Sequence, residues 1–297
     1  MTIADLSSRE ARAQVDMSLY QMNPNAAKIE KVTLIRGDAA VADGASIYLL
    51  DDNLVLMVSP ELFPYAMLEY SAAIRAMEKR LAPNTSYVLP TILGEGFLGS
   101  KSFFIMPRFK PLATGRLFRR VDRMRISGSV LTWLRALTTI DPVSAANAST
   151  AFIENLTALA SIVEPGSDIA RRIHRLIEAL RQGQLAPKHV PMHGDLWWGN
   201  VMRDIAGDLK IIDWGGSQPN GYGLFDLIRF AQSFGLSSSR LRAEVAWHRD
   251  AIGLGTEGPM LHMLAALGHF SERLGEFPLA KFTEMTTDCF STLSEHE

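Results

Sequence analysis

Residues 192–213 read MHGDLWWGNVMRDIAGDLKIID, and this stretch decides how the rest of the chain is interpreted. Gly194 and Gly199 interrupt its first part, so the pattern predicts a loop rather than a helix. A short apolar strand follows, a turn lies at Gly207-Asp208, and a second strand covers 209–212. The stretch therefore predicts a loop followed by a β-hairpin.

Four polar residues of this stretch suit metal-assisted phosphoryl transfer. A hydroxyl that attacks a γ-phosphate needs a carboxylate to orient it and to accept its proton, and Asp195 is the candidate. The hairpin is predicted to bring Asn200 and Asp213 together, and their oxygens are ligands that Mg²⁺ prefers beside water and phosphate. His193 is interpreted as a structural residue that braces the loop. A lone HGD or IDW motif is common by chance, but the ordered combination at these spacings is much less so.

The motifs resemble the aminoglycoside phosphotransferase and choline kinase family, whose members have a protein-kinase-like fold. The resemblance rests on HGDLWWGN at 193–200 and on IIDW at 211–214, and the LWxGN wording is also similar to the fructosamine kinase branch. The segment GYGLFDL at 221–227 is similar to the family's segment after the magnesium ligand, which implies that Asp226 braces the catalytic loop. The resemblance implies an α+β, two-lobed fold with a small antiparallel sheet and a helix in the N-terminal lobe and a mainly helical C-terminal lobe.

The bulk composition excludes several classes of protein. The 297 residues are 47% hydrophobic and 21% charged, as in ordinary globular proteins, and the net charge of -2 predicts no affinity for nucleic acid or anionic membranes. The single cysteine, Cys289, excludes an internal disulfide framework and favours a cytoplasmic location. The N-terminus lacks an apolar signal core, and the chain lacks a membrane-spanning apolar run. The oligomeric state is not predicted.

The chain is predicted to contain an N-terminal extension (1–27), a nucleotide-binding lobe (28–106), a hinge (107–111) and a helical catalytic and substrate-binding lobe (112–297). Turn residues and β-branched runs predict strands at 32–35, 45–50, 53–58, 87–89 and 103–106, a turn at 94–99, and an amphipathic helix at 63–81. Helical periodicity predicts further helices at 127–139, 148–163, 168–182, 225–235, 239–253, 260–274 and 279–293.

The resemblance also implies a nucleotide site in the first lobe. Backbone groups of Met106, Pro107 and Arg108 would hold adenine at the hinge, although Pro107 could instead simply end an edge strand. The family's phosphate-binding lysine on the third strand is absent, because Met57 occupies its place. Its usual partner, a glutamate on the following helix, corresponds to Glu69, with Glu61 a weaker candidate. The loss of a charge-assisted phosphate contact should reduce both affinity and rate.

Other cations and loops do not restore the family pattern. Lys31, Lys79 and Lys101 do not match the lysine position, and the segment 36–44 lacks a GxGxxG pattern, although Arg36 offers a positive charge there. Two alternatives therefore stay open: a pseudokinase, acting as a scaffold or nucleotide-binding module, and a kinase-like enzyme with altered nucleotide transfer, for example of AMP.

Aromatic, basic and histidine residues offer further candidates. Trp198, beside Gly199, and Trp214 are candidates to contact a substrate by stacking or cation–π contact, whereas Trp197 is interpreted as wedging the loop against the helical lobe. Five arginines cluster after the hinge and form either an anion-binding surface or a solvated helix face: Arg116, Arg119, Arg120, Arg123 and Arg125. His262 and His269 lack a nearby third ligand and are interpreted as structural.

These observations predict a small-molecule kinase with ATP and Mg²⁺ as cofactors. It would transfer the γ-phosphate to a hydroxyl of a sugar, amino sugar, glycated amine or amino alcohol. The sequence does not choose among these acceptors.

Overall fold

The computed structural model describes residues 9–24, 28–37, 44–112, 116–140, 148–253, 255–275 and 277–296. Within these ranges, residues 116–120 are described by their backbone alone. The chain divides into two compact units. The first comprises Met1–Glu78, Tyr87–Pro111 and Met202–Gly215, and the second comprises Lys79–Ser86, Leu112–Val201 and Gly216–Glu297. In the described ranges, no helix is both long enough and apolar enough to cross a membrane.

The described helices, in chain order, are α1 (Arg9–Met22), α2 (Ala66–Arg80), α3 (Pro83–Ser86), α4 (Arg116–Thr138), α5 (Ala148–Ala160), α6 (Asp168–Arg181), α7 (Phe225–Phe234), α8 (Ser238–Ile252), α9 (Gly258–Ser271) and α10 (Leu279–Ser294). The described strands are β1 (Val32–Arg36), β2 (Ser46–Leu50), β3 (Leu54–Val58), β4 (Gly94–Leu98), β5 (Lys101–Pro107), β6 (Lys110–Pro111), β7 (Val190–Met192), β8 (Val201–Arg203), β9 (Leu209–Ile211) and β10 (Gln218–Gly221).

A five-stranded antiparallel sheet in the order β1-β2-β3-β5-β4 organises the first unit. Its register pairs Met57 of β3 with Ile47 of β2 and with Phe104 of β5. Side chains alternate between the two faces along each strand, so directly paired residues share a face. Met57 and Phe104 therefore lie on the same face of the sheet.

The two faces of the sheet pack against different helices. Val15 and Leu19 of α1 join the buried cluster that contains Leu56 and Phe103. The opposite face carries Phe104, on which Tyr70 of α2 stacks with ring centroids 4.9 Å apart and an interplanar angle of 13°. Helix α1 is thus an integral part of the first unit's core.

Two predictions of secondary structure in the first unit are wrong. Residues 87–89 form no strand, because they turn directly after the short helix α3; the Ile211 N–H donates to the Val88 carbonyl at 2.9 Å. The predicted turn at 94–99 is instead mostly β4, and only its end turns. Its glycines mislead the prediction; Gly96 is a strand residue whose missing side chain leaves room for the Phe103 ring.

The second unit is mainly helical, as its periodicity predicts. Helices α5 to α10 begin and end within three residues of the predicted limits, whereas α4 begins at Arg116, eleven residues before the predicted start at 127. Helices α5 and α9 meet closely at Gly268, where a Cβ atom would overlap the carbonyl oxygen of Asn155. A small residue is therefore required at position 268.

Candidate active site

The loop after β7 is held by one buried carboxylate in the second unit. The N–H groups of His193 and Gly194 donate to Asp226 Oδ2 and Oδ1 at 2.6 and 2.9 Å. Asp226 lies in the first turn of α7 and is 2% exposed. The Nδ1 atom of His193 accepts the N–H of Asp195 at 3.1 Å. His193 and Asp226 thus lie where bracing of this loop would require them.

Opposing influences set the charge of Asp226. Burial raises the pKa of this carboxyl to about 7, and the negative charge of Asp195 acts in the same direction. Hydrogen bonds from the backbone of His193, Gly194 and Leu196 lower the pKa, because they favour the ionised form. The group that holds the loop consequently changes charge near neutral pH.

Gly194 is required by the path of the loop. Its φ of +90° is a conformation that side chains with a Cβ rarely adopt. A Cβ atom here would also overlap the carbonyl oxygen of Gly216. The backbone at this position can therefore pass close to Gly216 only because the residue is glycine.

Asp195 and Asn200 are joined directly. The short 3₁₀ helix Trp198–Asn200 turns the chain back, and Asn200 Nδ2 donates to the backbone oxygen and to Oδ2 of Asp195 at 2.8 and 2.9 Å. These bonds orient the Asp195 carboxylate. Because the amide nitrogen is committed to Asp195, the Asn200 Oδ1 atom is the one that can face a cation.

Asp213, in the first unit, follows β9 in a backbone conformation that is uncommon outside glycine. Its φ is +67°, and its N–H donates to the phenol oxygen of Tyr70 at 2.6 Å. Asp213 is exposed to solvent, although desolvation by the atoms around it raises the pKa of its carboxyl. Such backbone conformations concentrate at functional sites, and an exposed carboxylate is accessible to a cation.

The predicted magnesium ligands have suitable chemistry. The Asn200 amide oxygen and the Asp213 carboxylate are hard oxygen donors, which Mg²⁺ prefers. In the described part of the chain, no group of three or more His, Cys, Asp or Glu residues could hold a metal. A magnesium ion would therefore depend on few protein ligands and would complete its shell with water and phosphate oxygens.

The hinge residues offer fewer hydrogen-bonding groups than predicted. The Arg108 N–H donates to the Asn53 carbonyl at 2.8 Å, and Pro107 has no N–H. Met106 is paired with Val55 of β3. Since backbone groups alternate in direction along a strand, the Pro107 carbonyl faces away from β3 and can accept a hydrogen bond from a nucleotide.

Two of the lysines considered as replacements for the strand lysine, Lys31 and Lys101, lie in the described part of the first unit and form ion pairs elsewhere. Met57 is half-buried, and Glu69 is exposed without a described ion pair. Lys101 pairs with Glu61 at 2.8 Å, and Lys31 pairs with Asp52 at 2.9 Å. Glu61 is thus a surface partner of Lys101. Arg36 is exposed on β1, and most of the following loop lies outside the described residues.

The three tryptophans differ in how they pack. Trp198 is the packed residue: its ring lies 4.9 Å from the Arg123 guanidinium carbon and 5.1 Å from Phe234. Trp197 is 43% exposed, and its ring lies over Gly199, where a Cβ atom would overlap it; its role as a wedge stays a prediction. Trp214 is 0% exposed and donates its Nε1 proton to the Ile211 carbonyl, so its side chain belongs to the core, and its contact with a substrate stays a prediction.

The arginine cluster is only partly described. The side chains of Arg116, Arg119 and Arg120 lie outside the described residues. Arg123 is structural, because it covers Trp198 and donates to the Ser233 carbonyl at 3.0 Å. Arg125 is exposed.

The two histidines of α9 have separate structural contacts. His262 is buried and accepts the Gly223 N–H at its Nδ1 atom, at 3.1 Å. His269 lies beside Arg273, whose Nη1 atom is 2.7 Å from His269 Nδ1. Burial lowers the pKa of His262 to about 3. This agrees with their interpretation as structural residues.

Three solved structures with a similar fold are distant from this chain in sequence. Aminoglycoside phosphotransferase APH(4)-Ia has a TM-score of 0.62 at 13% identity, covering 96% of this chain and 99% of its own. The streptomycin–ATP complex of APH(2")-IIa has a TM-score of 0.52 at 15% identity, covering 97% of both chains. A choline/ethanolamine kinase family protein from Mesorhizobium loti has a TM-score of 0.53 at 12% identity, covering 96% and 97%. The predicted α+β, two-lobed, kinase-like fold is thereby confirmed.

Family membership follows from the sequence itself. The profile of the phosphotransferase enzyme family matches residues 39–254 of the 297. The chain belongs to this family, which confirms the predicted resemblance and the prediction of a phosphotransferase. No curated protein shows significant similarity to the sequence.

Proposed function

We propose that this phosphotransferase transfers the γ-phosphate of ATP to a hydroxyl group of a small molecule. The observation that carries the proposal is the loop around Asp195, whose carboxylate is oriented by Asn200 and whose backbone is held by Asp226. ATP is the proposed donor because one neighbour of similar fold was solved with ATP. The acceptor is proposed to be a sugar, amino sugar or amino alcohol, since the neighbours include aminoglycoside phosphotransferases and a choline/ethanolamine kinase family protein.

Asp195 is the proposed catalytic base. Its carboxylate would orient the acceptor hydroxyl and accept its proton while the hydroxyl oxygen bonds to the γ-phosphorus and the bond to the ADP oxygen breaks. The two Asn200 hydrogen bonds limit the rotation of the carboxylate, and orientation of this kind contributes much of the rate in phosphoryl transfer. His193 and Asp226 contribute by holding the loop backbone.

Asn200 and Asp213 are the proposed magnesium ligands. The ion, when bound, supplies positive charge that neutralises the phosphate oxygens. Asn200 belongs to the second unit and Asp213 to the first, so their joint use of one ion is part of the proposal. The Pro107 carbonyl is proposed to accept a hydrogen bond from the adenine amino group, while Arg108 and Met106 keep their contacts within the first unit.

Asp195→Asn provides the first test of this function. The purified enzyme would be incubated with ATP, Mg²⁺ and a panel of sugars, amino sugars and amino alcohols, with ADP and AMP measured separately. We expect acceptor-dependent ADP release from the wild type and a loss of at least roughly a hundredfold in the variant, because general base catalysis contributes that much. The variant should bind ATP as the wild type does, since Asp195 does not bind the nucleotide in this account.

The other outcomes identify the alternatives. AMP release with transfer of a nucleotidyl group would indicate altered nucleotide transfer. Absence of both products across the panel, despite ATP binding, would favour a nucleotide-binding scaffold, for which the missing strand lysine at Met57 is the motivation. ADP release that persists in Asp195→Asn would contradict the role of this residue. The cytoplasmic location stays a prediction.

A further inference from the structure

The backbone of the proposed magnesium ligand Asp213 is held by a side chain from α2. The phenol oxygen of Tyr70 accepts the Asp213 N–H at 2.6 Å, and the Trp214 backbone also hydrogen-bonds to this oxygen. All three residues belong to the first unit. One buried hydroxyl therefore receives two successive backbone groups at the point where Asp213 adopts a φ of +67°.

The position of this hydroxyl is fixed by packing. Tyr70 is 7% exposed, and its ring stacks on the fully buried ring of Phe104. Phe104 is paired with Met57 across β3 and β5, so both side chains lie on the face of the sheet that Tyr70 covers. A rigid helix and a rigid sheet thus determine where the phenol oxygen lies.

We propose that Tyr70 is a positioning residue: where the missing lysine–glutamate pair would link the third strand to α2, Tyr70 instead links α2 to the backbone of the magnesium ligand Asp213. This inference rests on the proposed function of Asp213. In the resembling kinases the link would join a lysine at position 57 to the helix, but here position 57 is apolar and Glu69 is exposed. Met57 suits the apolar surroundings of Phe104, and the link is made by the neighbouring helix residue instead.

The consequence for metal binding follows from the backbone conformation of Asp213. A positive φ is unfavourable for an aspartate unless its surroundings hold it there. Without the phenol oxygen, the 213 and 214 N–H groups lose a buried acceptor, and the carboxylate is less well pre-organised for a cation. Tyr70 does not contact the ion in this account; it acts through Asp213.

Tyr70→Phe is the matched substitution, because it removes only the hydroxyl and keeps the stack on Phe104. Tyr65→Phe is the control: it makes the same chemical change five residues earlier, just before α2 begins, at a side chain that is 57% exposed. Two measurements apply to each variant. Hydrogen exchange in the ligand-free protein reports on the 213 and 214 amides, and MgCl₂ titration at fixed ATP, followed by thermal unfolding, gives the apparent Mg²⁺ affinity.

We expect Tyr70→Phe to increase exchange at these two amides and to weaken the apparent Mg²⁺ affinity by about tenfold, a loss typical of one or two buried hydrogen bonds. Binding of ATP without Mg²⁺ should be unchanged, and Tyr65→Phe should behave as the wild type. A uniform loss of stability with unchanged Mg²⁺ affinity would overturn the inference, since a merely structural tyrosine would behave so.

The two proposals fail in different ways. If the wild type shows no Mg²⁺-dependent stabilisation by ATP, the proposed function is wrong. The proposed role of Tyr70 is then wrong as well, even if Tyr70→Phe increases hydrogen exchange at the 213 and 214 amides. If the wild type responds to Mg²⁺ and Tyr70→Phe responds with the same affinity, the inference about Tyr70 alone is wrong.

Discussion

Asp226 combines two effects on a single carboxyl group, since burial favours its neutral form while the backbone of three loop residues favours its charged form. Burial prevails and raises the pKa from 3.8 to about 7. Between these values the folded protein binds more protons than the unfolded chain. The contribution of Asp226 to stability is therefore complete below pH 3.8 and is lost as the pH rises towards 7.

The fall of the Asp226 contribution to stability with rising pH gives a prediction for Asp226→Asn. Asparagine does not titrate, so the difference in free energy of unfolding between wild type and variant should shrink as the pH rises from 5 to 7, by at most about 1.4 kcal/mol per pH unit. Chemical denaturation over this pH range measures the difference. The buried His248 and His262, whose pKa values burial lowers to about 3, affect both proteins equally and cancel. Parallel pH curves for the two proteins would contradict the raised pKa.

At the scale of elements, the start of α4 is joined to the active-site loop by Arg123. This residue covers Trp198 and donates to the Ser233 carbonyl, while the Trp198 N–H donates to Ser233 Oγ at 3.1 Å. The three contacts connect α4, α7 and the short helix that carries Asn200. They give Arg123 a structural function within the second unit.

Arg123→Gln should accordingly destabilise the protein by about 1–2 kcal/mol, because it removes a cation–π contact and a hydrogen bond. Arg125→Gln makes the same change two residues later at an exposed position, and it should alter stability by less than about 0.5 kcal/mol. Denaturant unfolding of both variants measures these effects. Equal effects of the two substitutions would show that Arg123 is also a solvated residue.

The elements that the sequence predicted well are those with a long apolar period. Helices α5, α6, α8 and α10 each bury one face over several turns, so their period is clear without tertiary information. Helix α9 is buried on all sides, and its long apolar run indicates it instead. Strand β4 was missed because Gly94 and Gly96 look like turn residues, yet they are strand residues that face Ser18 and Phe103. The need for glycine at these two positions depends on contacts with Ser18 and Phe103 that form only in the folded sheet.

The site was predictable to a similar extent. Asp195, Asn200 and Asp213 could be proposed as candidates because their types and spacing suit the chemistry. The packing of Trp198 could not be predicted, since it depends on Arg123 in α4. Tyr70 was missed for the same reason: its signal is a tyrosine beside Glu69 on a helix that follows an apolar third strand, and this has meaning only once the contact with Asp213 is seen.

At the scale of the whole molecule, the family profile and the fold define a phosphotransferase, whereas the first unit lacks the lysine that usually binds the phosphates. In the proposed site, Mg²⁺ would neutralise the nucleotide phosphates, with Asp213 held by Tyr70 and Asn200 held by Asp195. We therefore infer that the protein binds ATP in a manner that depends on Mg²⁺ and Asp213.

Thermal unfolding with ATP, with and without Mg²⁺, tests this claim most directly when the wild type is compared with Asp213→Asn. Asparagine tolerates the positive φ at this position and removes only the charge. At about a hundred times its dissociation constant, a ligand stabilises by roughly 2.7 kcal/mol, which should raise the midpoint by several degrees. We expect a Mg²⁺-dependent shift in the wild type that is lost in the variant. No shift in the wild type at millimolar ATP, or the same shift in both proteins, would contradict the account.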